Sequence, residues 1–117
     1  MLSLPASVRV YLCTCPADMR KSFDGLYALV QQVFDDDPLD GHLFLFLNRR
    51  RDRIKILYWD HDGLAIWYKR LEAGTFQLPA NLADAQSIEL DATGLALLLG
   101  GIDVRSAKRR KRYARAG

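Results

Sequence analysis

The residues best suited to chemistry are basic, and most crowd into one short tract. Asn48-Arg49-Arg50-Arg51-Asp52-Arg53 holds four arginines in a single predicted turn. Guanidinium groups that close repel one another unless an anion lies between them, and their donor forks match the oxygens of phosphate. Lys55, Lys69 and Arg70 fall on the adjacent predicted strands and extend the track. The plainer alternative is a solvated turn whose charges blunt a sheet edge against aggregation. Arg20 and Lys21 are a second basic pair, placed in the first turns of a predicted helix. Cations there oppose the helix dipole, which marks the pair for contact with a phosphate or an acidic partner surface. A third group, Lys108, Arg109, Arg110, Lys111 and Arg112, belongs to residues 105–117, which carry seven basic groups and no acid. All fourteen acids lie at or before Asp103, against ten basic groups in that same span. A mildly acidic body therefore ends in a basic tail, a distribution suited to a polyanionic partner or to simple solubility.

Catalytic patterns are scarce. Asp60 and Asp62 flank Gly63, which is ordinary turn chemistry. A metal-dependent nuclease would need converging carboxylates with a lysine, drawn here from Asp18, Asp52, Asp60, Asp62 and Lys55, but no spacing forces these together. There is no phosphate-cradling glycine loop and no serine or cysteine triad pattern. Cys13 and Cys15 are ill-placed for a mutual disulfide, and with only His42 and His61 besides there is no zinc-finger spacing. No cofactor, no metal and no enzymatic activity is expected. With no long apolar span and no secretion leader, the chain reads as a cytoplasmic protein with no membrane partner.

The elements that would position these residues follow from periodicity. Half of the 117 residues are hydrophobic, enough for the core of one domain. Val8 to Leu12 reads as a strand. Pro16 and Asp18 suit a helix start, and Met19, Phe23, Leu26, Val30 and Val33 then recur as one apolar stripe up to Asp35-Asp36-Asp37-Pro38. Three strands follow, over His42–Leu47, Arg53–Trp59 and Leu64–Arg70. Ser87–Leu90 is a short edge strand, and Asp91 caps a short helix ended by Gly100-Gly101. The expectation is an α+β domain over residues 1–104, with a small antiparallel sheet of about four to five strands packed on one long N-terminal helix. A short C-terminal helix completes it, and 105–117 form a disordered tail.

A bulged three-residue turn at Gly63 would pair Asp60 with Leu64 and so sort the side chains. Ile54, Ile56, Tyr58, Leu64, Ile66 and Tyr68 would face the helix stripe. Arg53, Lys55, Leu57, Trp59, Ala65, Trp67 and Lys69 would lie on the other face, joined by Phe44 and Phe46 if Leu47 pairs with Ile54. An aromatic and basic face of that kind either stacks bases or is buried against a partner or a helix, with Trp59 and Trp67 as the contact residues.

Four segments resemble a known family. Asp18-Met-Arg-Lys-Ser-Phe-Asp-Gly-Leu26 is similar to the first block of the TnpB accessory proteins of insertion-sequence family sixty-six. Asn48 through Asp60, with Gly63 and Trp67-Tyr-Lys-Arg-Leu-Glu72, resembles the second. Leu4–Leu12 and Leu97–Asp103 are similar as well, while Thr75 and Leu78 depart from the arginine and tryptophan of the pattern. The resemblance implies a role in transposition beside a separate, larger transposase, and it brings no active site. An unrelated RNA-guided nuclease shares the family's letters, but this chain is far too short for it. Two functions follow from residues and resemblance together. One is binding of nucleic acid, the element's DNA above all, through the arginine hairpin and the tail. The other is an adaptor role, with the aromatic face docked on the transposase or on a second copy of the chain.

Overall fold

A computed structural model describes residues 7–78, 85–100, 102–103 and 108–109. Its centre is a five-stranded sheet. The strands are β1 (Val10–Cys13), β2 (Leu43–Leu47), β3 (Arg53–Asp60), β4 (Gly63–Arg70) and β5 (Ser87–Leu90), in the order β4-β3-β2-β1-β5. Two helices, α1 (Phe23–Leu29) and α2 (Ala92–Gly100), cover its two faces. The α+β class and the three central strands are as expected from sequence, and Ser87–Leu90 is an edge strand paired with β1. The cap of α2 also holds, since Asp91 Oδ1 accepts from the Gly94 amide at 2.6 Å. A two-residue strand pair, β6 (Ile102–Asp103) with β7 (Lys108–Arg109), follows α2. Arg110, Lys111 and Arg112 lie outside the described residues.

Three expectations need correction. The sheet is mixed, because β1 runs parallel to β2, with Val10 opposite Leu43 and Leu12 opposite Leu45. Parallel neighbours need a long crossover, and the stretch from Cys13 to Leu43, with α1 inside it, is that crossover.

The N-terminal helix is short. It starts at Phe23, runs seven residues, and passes into a π-helical turn over Val30–Phe34 that ends at Asp35 in the left-handed region, φ 49°. Pro16 and Asp18 therefore do not lie in its first turn, but before the helix. Asp18 folds the chain back locally, accepting from the Arg20 amide at 2.9 Å while the Lys21 amide donates to the Asp18 carbonyl at 3.0 Å. Asp side chains compete with helix in this way. Of the expected stripe, Leu26 and Val30 are buried, Met19 and Val33 pack partly, and Phe23 is exposed.

The third correction is the register at Gly63. The connection is a two-residue loop, His61-Asp62, with Asp60 opposite Gly63. His61 takes the positive φ, 54°, and Gly63 belongs to the strand. Histidine is among the residues that enter the left-handed region most readily, so the glycine is not needed there. Every side chain of β4 is thereby shifted one face relative to β3. On the α1 side lie Phe44, Phe46, Lys55, Leu57, Trp59, Leu64, Ile66 and Tyr68; on the α2 side lie Ile54, Ile56, Tyr58, Ala65, Trp67 and Lys69.

The helix stripe therefore packs on Phe44, Phe46 and Leu57, all fully buried, and not on Ile54 and Ile56. Ile54 and Ile56 belong to the second cluster, with Leu45, Leu95, Leu98 and Phe76. Leu47 does pair with Ile54, as expected. Cys13 is buried and Cys15 exposed, both as free thiols; burial pushes the Cys13 thiol up.

Candidate nucleic-acid interface

The arginine tract is a turn with its own scaffold. Asn48 organises it, its Oδ1 accepting from the amides of Asp52 and Arg53, both at 3.0 Å, and its Nδ2 donating to Asp52 Oδ1 at 2.6 Å. The Arg51 amide donates to the Asn48 carbonyl at 3.1 Å, and Arg51 sits in the left-handed region with φ 59°. The Asn48 bond, helped by the charges of Arg50 and Arg53, holds the Asp52 carboxyl below its ordinary range although burial opposes this. Asp52 is thus tied into the turn.

A loop from the far side of β4 clamps the same turn. The Leu71 amide donates to the Asp52 carbonyl and the Phe76 amide to the Arg51 carbonyl, each at 2.7 Å. Phe76 is buried in the α2-side core, so the clamp has an apolar anchor. Sequence reasoning left both Asn48 and Phe76 without a role. An asparagine opening a turn is a recognisable Asx signal, whereas nothing local marks Phe76 as a plug.

On this scaffold Arg49, Arg50 and Arg51 are exposed, and none forms an ion pair with another described residue. Arg53 and Arg70 are cross-strand partners at the adjoining end of the sheet. Arg53 Nη1 donates to the Tyr68 hydroxyl at 3.4 Å, and Arg70 is held by Glu72 at 2.8 Å, which raises the Arg70 pKa.

The loop before α1 meets the same end, where the Ala17 amide donates to the Leu47 carbonyl at 2.8 Å. Lys21 is exposed there. Arg20 is exposed too but grips Asp18, with Nη2 at 2.7 Å from Oδ2, and holds that carboxyl at a pKa of about 2. The structure therefore gathers Lys21, Arg49, Arg50, Arg51 and Arg53 at one end of the domain, with Arg20 and Arg70 beside them, partly neutralised by Asp18 and Glu72.

Lys55 departs from this group. Only 8% of its surface is exposed, and its Nζ donates to the Met19 carbonyl at 2.8 Å and the Lys21 carbonyl at 2.7 Å, 4.8 Å from the centre of the Tyr68 ring. It fastens the loop before α1 to the sheet. Lys69 is exposed on the α2 side, away from Arg53 and Arg70.

The aromatic face drawn from sequence does not exist as one surface. Phe44 and Phe46 are fully buried, and Trp59 and Trp67 lie on opposite faces of the sheet, each partly exposed. The exposed aromatic beside the arginines is Tyr68, expected in the core but 46% exposed.

The carboxylates and lysine of a nuclease centre are not brought together either. Asp18 is committed to Arg20 and Lys55 to two carbonyls. Asp60 and Asp62 stand at the opposite end of β3 from Asp52, on the order of 25 Å away. Among the described residues no three His, Cys, Asp or Glu side chains are grouped to hold a metal ion. No helix among them is long and apolar enough to cross a membrane.

The family model for IS66 Orf2-like proteins matches residues 8–109, which takes in every strand and both helices. The chain belongs to this family. Two uncharacterized proteins of Sinorhizobium fredii are similar along nearly their full length. One, y4hO, is 36% identical over 117 residues, all of both chains. The other, y4jC, is 33% identical over 110 residues, covering 94% of this chain and 92% of its own. No solved structure matches. Membership gives this Orf2-like protein an accessory role associated with transposition.

Proposed function

We propose that this Orf2-like protein binds the nucleic acid of its element, the DNA first, through the cationic end of the domain, and works there beside the element's transposase. The observation that carries the reading is the arginine hairpin. Arg49, Arg50 and Arg51 are held out on a turn fixed from both sides and form no ion pair with a described carboxylate, although Arg50 lies near enough to Asp52 for the two charges to attract. Backbone ordered in advance lowers the entropy lost on binding, and guanidinium groups suit phosphate. Arg53, Arg70 and Lys21 widen the contact. Asp60 and Asp62 lie at the opposite end of the β3–β4 hairpin, so the field of the domain turns its basic end toward a polyanion. In this reading the tail residues Lys108, Arg109, Arg110, Lys111 and Arg112 add sequence-independent affinity.

Fluorescence anisotropy with labelled terminal-repeat DNA tests the proposal. Wild-type protein should bind with an affinity that falls steeply with salt. Replacing Arg49, Arg50 and Arg51 together by Ser should flatten that dependence, by roughly 0.9 in slope for each duplex phosphate that is no longer neutralised. Deleting residues 105–117 should flatten it separately. An equal slope in the triple variant, or wild-type affinity weaker than the roughly 10⁻⁴ M of ordinary non-specific binders, overturns the reading.

A further inference from the structure

Beside the arginine hairpin the α1 face of β3 and β4 carries an open cleft of about 420 Å³ lined by Arg53, Tyr68, Arg70 and Glu72. That volume falls in the range of small-ligand sites. We propose that the cleft holds one unpaired nucleotide, its base stacked on Tyr68 and its phosphate on the arginines. This rests on the nucleic-acid reading above and adds which form of nucleic acid the site selects.

The ring is prepared for stacking. Lys55 holds its ammonium over one face, 4.8 Å from the centroid, and is itself fixed by the Met19 and Lys21 carbonyls. One face is thus backed by a rigid cation, while nearly half of the residue stays open to solvent. Arg53 reaches the Tyr68 hydroxyl through Nη1, which fixes the phenol edge and leaves its remaining donors for an anion.

Glu72 does not empty the cleft of positive charge. Both contacts from Arg70, Nε and Nη2, go to Glu72 Oε1 at 2.8 Å, so this carboxylate is neutralised by one of the two arginines. Its Oε2 remains an acceptor for the N–H groups on a base edge.

A paired base inside a duplex has both faces covered by its neighbours. It cannot lie flat on an exposed ring without being flipped out at a cost. The hairpin arginines have no such limit, since phosphates are available on single and double strands alike. Tyr68 is therefore the residue that separates the two forms.

The test compares wild type, Tyr68→Ala and Tyr68→Phe by anisotropy, each checked for an unchanged thermal transition. The probes are a mixed-sequence single strand of about fifteen nucleotides, as DNA and as RNA, and a blunt duplex of the same length. Wild type should prefer at least one single strand. Tyr68→Ala should weaken that binding roughly five- to a hundredfold and leave duplex binding within about twofold, while Tyr68→Phe keeps the preference. Which of the DNA and RNA probes loses affinity in Tyr68→Ala identifies the natural source of the nucleotide.

If Tyr68→Ala weakens single strand and duplex equally, or neither, the cleft is not a base site, while duplex binding through Arg49, Arg50 and Arg51 still stands. A Tyr68→Ala protein that melts well below wild type also overturns the inference unless Tyr68→Phe, folded normally, retains the full preference. Wild-type protein that binds no probe refutes both readings at once.

Discussion

Lys55 offers the sharpest test of the geometry, because sequence and structure give it opposite jobs. As part of a phosphate track it would be exposed, and its loss would weaken binding without touching the fold. In the structure it is buried, with two bonds to the Met19 and Lys21 carbonyls.

Lys55→Met keeps the volume and removes the charge. The two bonds it breaks are charge-assisted, each contributing about 1.5–3 kcal/mol. Part of that returns because no ammonium has to be taken out of water, and because Lys21 is exposed enough for water to reach its carbonyl. The cation–π interaction with Tyr68 adds about 0.5–1 kcal/mol to the cost. A net destabilisation of about 2–4 kcal/mol results, a large share of the roughly 5–15 kcal/mol that holds a typical domain. Urea unfolding followed by circular dichroism should show the midpoint falling at an unchanged m-value, since the area buried hardly differs. Hydrogen exchange should quicken in residues 17–22 before it does in β2. A Lys55→Met protein within about 0.5 kcal/mol of wild type, the ordinary range for surface substitutions, would refute the clamp.

Phe46→Ala should cost about 3–5 kcal/mol by calorimetry, because the ring is fully buried beneath the α1 side; a value under about 1 kcal/mol would mean that this face is not core. The Asp18 carboxyl, held at about 2 by Arg20, is depressed below the ordinary value of about 3.9, so its contribution to the 18–21 turn is fully present above about pH 4 and is lost as pH falls through 2. Carbon-detected NMR titration should place its midpoint near 2 and that of an Arg20→Gln variant higher, though still below the ordinary value because the residue-20 amide and the Lys21 charge remain; matching midpoints would deny the pair. Asn48→Ala should lower stability by about 1–2 kcal/mol, because the Asp52 and Arg53 amides lose their acceptor, and it should weaken terminal-repeat DNA binding although no charge is removed. Unchanged DNA affinity there would separate the ordering of the turn from its function.

Local and periodic features were legible in the sequence. The run from His42 to Leu47 is apolar at every strand position because both of its faces are covered, and β2 is buried along its whole length. Asp91 announces the start of α2, and the arginine tract is where its own composition places it, in an exposed turn. These depend on contacts within a few residues, so the chain's own order carries them.

Tertiary structure decided the rest. Whether the β3–β4 turn held two residues or three was a difference of one position. Gly63 suited the bulged form, but His61 supplied the left-handed conformation and the shorter loop prevailed. That step left Leu64 and Ile66 under α1 and Trp67 on the other face, as expected, but it moved Ile54, Ile56 and Tyr58 to the α2 side and brought Lys55, Leu57 and Trp59 to the α1 side. Nor could periodicity show that a lysine 34 residues beyond Lys21 would claim carbonyls that a helix would otherwise use. A buried ammonium must find acceptors, and the open loop before Phe23 supplies them where a helix, with its carbonyls already bonded, would not. Periodicity, a local property, can show which residues are apolar or charged, but which of them meet depends on register and on long-range hydrogen bonds that exist only once the sheet has formed.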